Sequence, residues 1–418
     1  MKIVVVGGGS TYTPELIDGI ARLRDTLEVT ELVLVDPDVH RRELLEAMAN
    51  RMLDTMGHPA EVHSGDDVAA AAEGAAAVLF QLRVGGQAAR ARDETWPLEC
   101  GCVGQETTGA GGLAKALRTV PVVLELADEI RRVAPEAWLV DFTNPVGIVT
   151  RALLNEGHRA LGLCNVAIGF QRFFAEVLDV APERVSLGHV GLNHLTWERA
   201  VYLDDEDVLP GLLETRGELL AERVRQPLEL LRLLNALPSY YLRYFYEHDA
   251  VVRELKTATP RAEEVAAMER QLLRLYADES VDTKPELLER RGGAFYSEAA
   301  VALVASLLTD RGDVQVVNVR NDGTLPYLPD DMTIEVPAVI GAGGARPLPA
   351  APLDAGSAGL IAGVAGYEQL ALDAALRGGR DRVVQALLAH PLIGQWELAN
   401  PLADRLIAEN AAYLAWAR

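Results

Sequence analysis

Residues 1–16 read MKIVVVGGGSTYTPEL, and this stretch decides the fold. Ile3–Val6 is an all-apolar run of the kind a buried parallel strand requires. Pro14 stands where a helix begins, and Glu15–Arg24 continues with helical spacing. A strand, a glycine turn and a helix N-terminus together present free N–H groups suited to a pyrophosphate. Val6-Gly7-Gly8-Gly9-Ser10 is that turn. Asp36 ends the next apolar run, Leu32–Asp36, where a carboxylate can take both ribose hydroxyls of a dinucleotide. A 2′-phosphate would meet that negative charge, so NAD is expected rather than NADP. Tyr12 occupies the third glycine position of the dinucleotide fingerprint. The other reading of the stretch is therefore a tight turn in an unrelated α/β protein.

Outward from this turn the alternation continues. His40–Met56 reads as a helix, Ala76–Leu82 and Ala137–Phe142 as buried strands, Val146–Leu154 as a helix and Leu161–Cys164 as a short strand. The order predicts an N-terminal Rossmann-like doubly wound parallel sheet over residues 1–166. Residues 167–418 read as an α+β domain that carries metal, substrate and oligomer contacts. Its expected helices are Glu218–Leu237, Ala262–Tyr276, Ser297–Thr309 and Gly359–Leu376. Its expected strands are Val185–Val190, Thr196–Leu203, Val314–Val319 and Met332–Val336, and Gly341–Pro352 reads as a loop.

Composition narrows the function classes. A formal net charge of −22 over 418 residues argues against a nucleic-acid partner. An anionic substrate must then be held by a local arginine cluster acting against the global field. No apolar run approaches the roughly 18 residues of a membrane helix, and the N-terminus lacks the pattern of a signal peptide. The cysteines are Cys100, Cys102 and Cys164. They form no disulfide framework, so a reducing cytoplasm is expected.

Several residues fall where an open α/β sheet binds ligands, beyond the carboxyl ends of its strands. Cys164 follows the last strand of the first domain, and His194 lies in GLNHL beside Asn193. One thiolate and one imidazole make a partial coordination sphere with positions left for substrate oxygens, although a lone cysteine or histidine is more often structural. Cys100 and Cys102 lack a second ligand pair, which favours no metal there. Tyr240 and Tyr241 lie in an aromatic-dense segment that packing alone could explain, and a tyrosine base needs its phenol activated by a cation. Arg83, Arg90 and Arg92 follow a buried strand. They either converge on the crevice as a phosphate clamp or form a solvated helix face. Asn144 in DFTNP either meets a sugar hydroxyl or shapes the turn before Pro145.

The strings VVGGGSTYTPEL, GQETTGAGGLAKALR, DFTNPVGIVT, LCNVAIGF, GLNHL, YLRYF, RGGAFYSEAA and VNVRNDGTLPYLP occur in order along nearly the whole chain. Together they resemble glycoside hydrolase family 4, the NAD-dependent exception to two-carboxylate glycoside hydrolysis. The resemblance implies a C-terminal domain like that of lactate and malate dehydrogenases. It also implies a redox-neutral hydrolysis. NAD⁺ takes hydride from C3 of the sugar, and a divalent metal, typically Mn²⁺, polarises the ketone. A base removes the C2 proton, the leaving group departs by elimination, water adds, and the hydride returns.

On this sequence the resemblance makes Cys164 and His194 the metal ligands and Tyr241 the base, with Tyr240 the competing choice. Asn144 and Asn165 would hold sugar hydroxyls. Arg90 and Arg261 would clamp the sugar phosphate, while Gly7, Gly9, Ser10 and Asp36 hold NAD. Asn165 directly after Cys164 resembles the 6-phospho-β-glucosidase branch, although Ala167 replaces that branch's usual proline. The implied substrate is a small phosphorylated disaccharide or glucoside, and the implied assembly a homodimer or homotetramer. An unphosphorylated or α-linked glycoside, a lactate/malate-type dehydrogenase and a non-catalytic NAD-binding regulator are the alternatives.

Overall fold

The computed structural model of the chain describes residues 1–292 and 295–417. Gly293 and Ala294 of the RGGAFYSEAA string lie outside the described residues. Six parallel strands come first: β1 (Lys2–Val6), β2 (Glu31–Val35), β3 (Glu61–Gly65), β4 (Ala77–Phe80), β5 (Trp138–Asp141) and β6 (Ala160–Gly162). Seven follow: β7 (Val185–Leu192), β8 (Leu195–Leu203), β9 (Glu206–Asp207), β10 (Leu237–Pro238), β11 (Asp313–Arg320), β12 (Thr333–Gly341) and β13 (Gly344–Pro347). All belong to one sheet ordered β10-β8-β7-β12-β11-β6-β5-β4-β1-β2-β3, with β9 and β13 off this path.

The strands from β6 to β3 form the doubly wound parallel sheet that the alternation predicts. Their order reverses between β1 and β4, which opens a crevice over the glycine turn. The edge strand β3, sequence EVHSG, escapes the sequence reading because it is half exposed and carries no apolar run. Past β6 the pairing turns antiparallel. The division at residue 166 falls in the first turn of the helix Asn165–Leu178. One core joins Val5 of β1, Phe80 of β4, Ile334 of β12 and Leu402.

Two expectations are corrected. The segment Glu218–Leu237 is not one helix. It divides into Gly217–Val224 and Leu228–Leu234, with Arg225 at φ 54, and ends in β10. Pro227 removes an amide donor and clashes with the preceding turn, so a continuous helix is disallowed there. The stretch Gly341–Pro352 is not wholly loop, since Gly344–Pro347 pairs with β12. The longest helix, Gly109–Val133, has no counterpart in the sequence reading. Its glycines, which read as breakers, allow close packing. A Cβ on Gly111 would lie 2.5 Å from the Asp93 carbonyl of the helix Gly86–Glu99.

Candidate active site

The glycine turn sits at the switch point. Gly8 cannot carry a side chain, because a Cβ there would lie 2.6 Å from that of Leu34. The amides of Gly7 and Gly8 bond the Val35 carbonyl, and Ser10 N–H closes the turn on Gly7 O at 3.0 Å. Gly9 N–H donates to Asp36 Oδ2 at 3.0 Å, and Asp38 N–H donates to Oδ1 at 2.9 Å. Each carboxylate oxygen keeps acceptor capacity for a ribose hydroxyl. These residues fit a dinucleotide. Tyr12 explains the missing third glycine. Its ring packs edge-on to Tyr296 with Arg291 above it.

Cys164 is the N-cap of the helix Asn165–Leu178, two residues past the end of β6, and Asn165 is the helix's first residue. His194 lies in the two-residue turn between β7 and β8, held at φ 63. Tyr241 links them. Its ring stacks on that of His194 with centroids 3.6 Å apart and planes 8° from parallel. The Cys164 sulfur lies near enough to raise the Tyr241 phenol further, beyond what burial does. Tyr240 instead accepts from Arg243 Nη1 at 3.1 Å.

The His194 ring has a defined tautomer. Thr107 Oγ1 donates its only proton to Gln105 Oε1 at 2.7 Å, so it must accept from His194 Nδ1–H at 2.8 Å. That leaves Nε2 with a bare lone pair. Burial lowers the ring's pKa to about 4, which keeps it neutral, as a metal-ligating imidazole must be. Burial also raises the Cys164 thiol, and the Glu335 carboxylate adds to this. The sulfur therefore holds its proton until a cation supplies counter-charge. A thiol and a neutral imidazole in this state fit a divalent metal. Among the described residues no group of three or more His, Cys, Asp or Glu could hold one by itself. The remaining positions fall to substrate or water.

Beside this pair lies a charge cluster. Glu106, buried, accepts from Lys115 Nζ at 2.5 Å, pairs with Arg90 Nη2 at 3.3 Å, and bonds Arg83. Burial opposes its charge, but Arg83, Lys115 and Arg90 hold it well below the usual carboxylate range. Burial and then Arg83 lower Lys115 to about 7. Arg90 is thus a mostly buried residue, its side chain 13% exposed, and not part of a solvated face. Its Nε pairs with Glu94 at 2.7 Å, and Glu94 caps the Ala262 amide at 2.8 Å. Arg261 begins that same helix. It is turned outward, bonding Glu264 and the carbonyls of Arg290 and Arg291. Asn144 follows β5 with its Oδ1 buried and without a partner among the described residues, an acceptor suited to a ligand hydroxyl. Cys102 is buried and Cys100 partly so, and both are free thiols.

Residues that the sequence reading passed over complete the site: Thr107, Glu106, Lys115, Tyr296 and Glu335. The GQETTGAGGLAKALR string held three of them, but no spacing rule brings Lys115 back onto Glu106. The helix start at Gly109 does so.

Behind Cys164 lies a buried ion triad. His189 Nδ1 meets Glu198 Oε1 at 2.6 Å, and its Nε2 meets Glu335 Oε1 at 3.0 Å. Carboxylates on both nitrogens require both to be protonated. Burial works against that charge, yet the two acids raise the ring to about 10. Removing one member of such a network leaves a charge unpaired, so His189→Leu is expected to lose about 3–5 kcal/mol at pH 7. The folded pKa lies above the unfolded one. The contribution is therefore complete below the unfolded value of about 6.5 and fades as pH rises through about 10. Urea titrations at pH 7 and 10.5 should show the gap between wild type and variant closing; a gap that widens with pH would refute the assignment.

The family 4 glycosyl hydrolase model matches residues 2–180, and the model for that family's C-terminal domain matches residues 189–393. The chain belongs to glycosyl hydrolase family 4. This family 4 chain is 38% identical to a probable 6-phospho-beta-glucosidase of Bacillus subtilis, over 99% of its own length and 97% of the relative's. Its fold matches the 6-phospho-beta glucosidase from Thermotoga maritima solved with manganese, NAD⁺ and glucose-6-phosphate. There the TM-score is 0.93 and the identity 34%, with 99% of each chain covered. A malate dehydrogenase from Salinibacter ruber shares the fold at TM-score 0.55 and 18% identity, covering 91% of the family 4 chain and 99% of the dehydrogenase.

Proposed function

We propose that the chain is an NAD- and divalent-metal-dependent 6-phospho-β-glucosidase that cleaves 6-phospho-β-glucosides by oxidation at C3, elimination, water addition and re-reduction. The observation that carries this reading is the stack of Tyr241 on a neutral His194 whose Nε2 lone pair is free, with the Cys164 sulfur alongside. Bound NAD and a divalent cation supply hydride acceptance at the sugar and polarisation of the resulting carbonyl. Gly7, Gly9, Ser10 and Asp36 hold the dinucleotide, and Cys164 and His194 hold the cation.

Tyr241 takes the proton from C2. Burial, and after it Cys164, Tyr244 and Glu106, oppose its ionisation, and Arg90 favours it. Arg83, Arg90 and Lys115 face Glu106 and Glu94, and with Lys115 lowered to about 7 they leave a small positive excess for the sugar phosphate in a chain of net charge −22. In this reading Arg261 is the second residue of the phosphate clamp, and Asn144 and Asn165 hold sugar hydroxyls. The three free thiols suit a reducing cytoplasm. No helix among the described residues is long and apolar enough to cross a membrane. A homodimer or homotetramer belongs to the same reading.

The test is an aryl 6-phospho-β-glucoside assay under reducing conditions, with NAD⁺ and Mn²⁺ each present or withheld. Turnover is expected only with both, without net NADH, and with deuterium entering C2 in D₂O. Stoichiometric NADH would point to a dehydrogenase. Hydrolysis in D₂O with the C2 hydrogen fully retained would end the elimination mechanism.

A further inference from the structure

One row of the sheet crosses beneath the cation-holding residues. It runs Gly162 on β6, Asn318 on β11, Glu335 on β12 and Gly191 on β7, each paired with the next. Neither end glycine can carry a side chain. A Cβ on Gly162 would meet Thr150 Oγ1 at 2.3 Å, and one on Gly191 the Leu195 carbonyl oxygen at 2.0 Å. Cys164 stands two residues past the first glycine, and Asn193 two residues past the second. The side chains between the end glycines are those of Asn318 and Glu335, both buried, and Glu335 is 1% exposed. Its Oε1 faces His189, while its Oε2 accepts from Asn193 Nδ2 at 2.9 Å and from Asn318 Nδ2 at 2.8 Å.

A carboxylate only accepts hydrogen bonds, so it dictates that the nitrogen end of the Asn193 amide faces inward. Asn193 forms the β7–β8 turn with His194, so the carboxylate braces the turn that carries the ligand histidine.

We propose that Glu335 and Asn193 are positioning residues, Glu335 fixing the Asn193 amide so that the β7–β8 turn presents the His194 ring to the divalent cation. The proposal rests on reading Cys164 and His194 as the cation's ligands. Groups of this kind around a metal ligand are typically worth 10–100-fold in metal affinity.

The test uses Co²⁺ with the full-length protein and needs no turnover. Wild type should show a thiolate-to-cobalt charge-transfer band in the near ultraviolet. Asn193→Ala and Glu335→Gln should each shift or weaken that band and lower Co²⁺ affinity by about 10–100-fold. The double variant should be no worse than the worse single one, because the two residues act in series. A wild-type band and affinity in Asn193→Ala, or losses that simply add in the double variant, would overturn the proposal. If Glu335→Gln does not fold, Asn193→Ala decides alone, since it leaves Glu335 bonded to His189 and Asn318. Absence of the band in wild type, or its persistence in Cys164→Ser, would overturn the ligand assignment itself and the proposal with it.

Discussion

Cys164→Ser is expected to abolish turnover of a 6-phospho-β-glucoside, by roughly 10³-fold or more, while NAD binding stays near wild type. The loss follows from acidity. A serine hydroxyl at the buried N-cap cannot ionise near neutral pH, so the site keeps the space for a ligand and loses the charge. Carbonyl polarisation by a bound cation is worth several kcal/mol, and each 1.36 kcal/mol is tenfold in rate, which sets the size of the effect. The glycine turn and Asp36 follow β1 and β2, not β6, so the dinucleotide should still bind. Steady-state kinetics together with a direct NAD titration would check this. Retention of full activity would return Cys164 to the status of a small core residue.

Tyr241→Phe is expected to lower kcat by about 10²–10⁴-fold with little change in metal affinity. Phenylalanine keeps the ring stacked on His194 and removes only the oxygen. Exchange of the C2 hydrogen with D₂O should disappear together with turnover, because both need the same base. Tyr240→Phe is the contrast. Its hydroxyl is engaged by Arg243, so exchange at C2 should persist in that variant. If instead Tyr240→Phe were the inactive variant and Tyr241→Phe turned over normally, the base would be the neighbouring tyrosine.

Much of the N-terminal half was legible because its signals are local. A buried parallel strand must be apolar throughout, and a helix must start where an amide donor is dispensable. β1, β2, β4 and β5 and the first two long helices therefore stand within a few residues of where periodicity puts them. β3 was not legible, since an edge strand need not be apolar. Nor was the helix Gly109–Val133, whose glycines serve contact with a neighbouring helix rather than local conformation. In the site, residue types near strand ends drew attention to Cys164, His194, Arg90 and Asn144. Arg261 was chosen on resemblance, and its outward posture could not be read from the chain.

By itself, then, the order of residues determined which strands could be buried, where the chain must turn, and which side chains carry acid, base or ligand chemistry. Those properties depend on neighbours within a few positions. The folded sheet alone decided that Glu335, more than 140 residues beyond Asn193, lies against it. It alone decided that Lys115 closes on Glu106 and that the Thr107 hydroxyl fixes the His194 tautomer. Such contacts arise from strand order and helix packing, and no local pattern in a sequence encodes which distant residue will arrive.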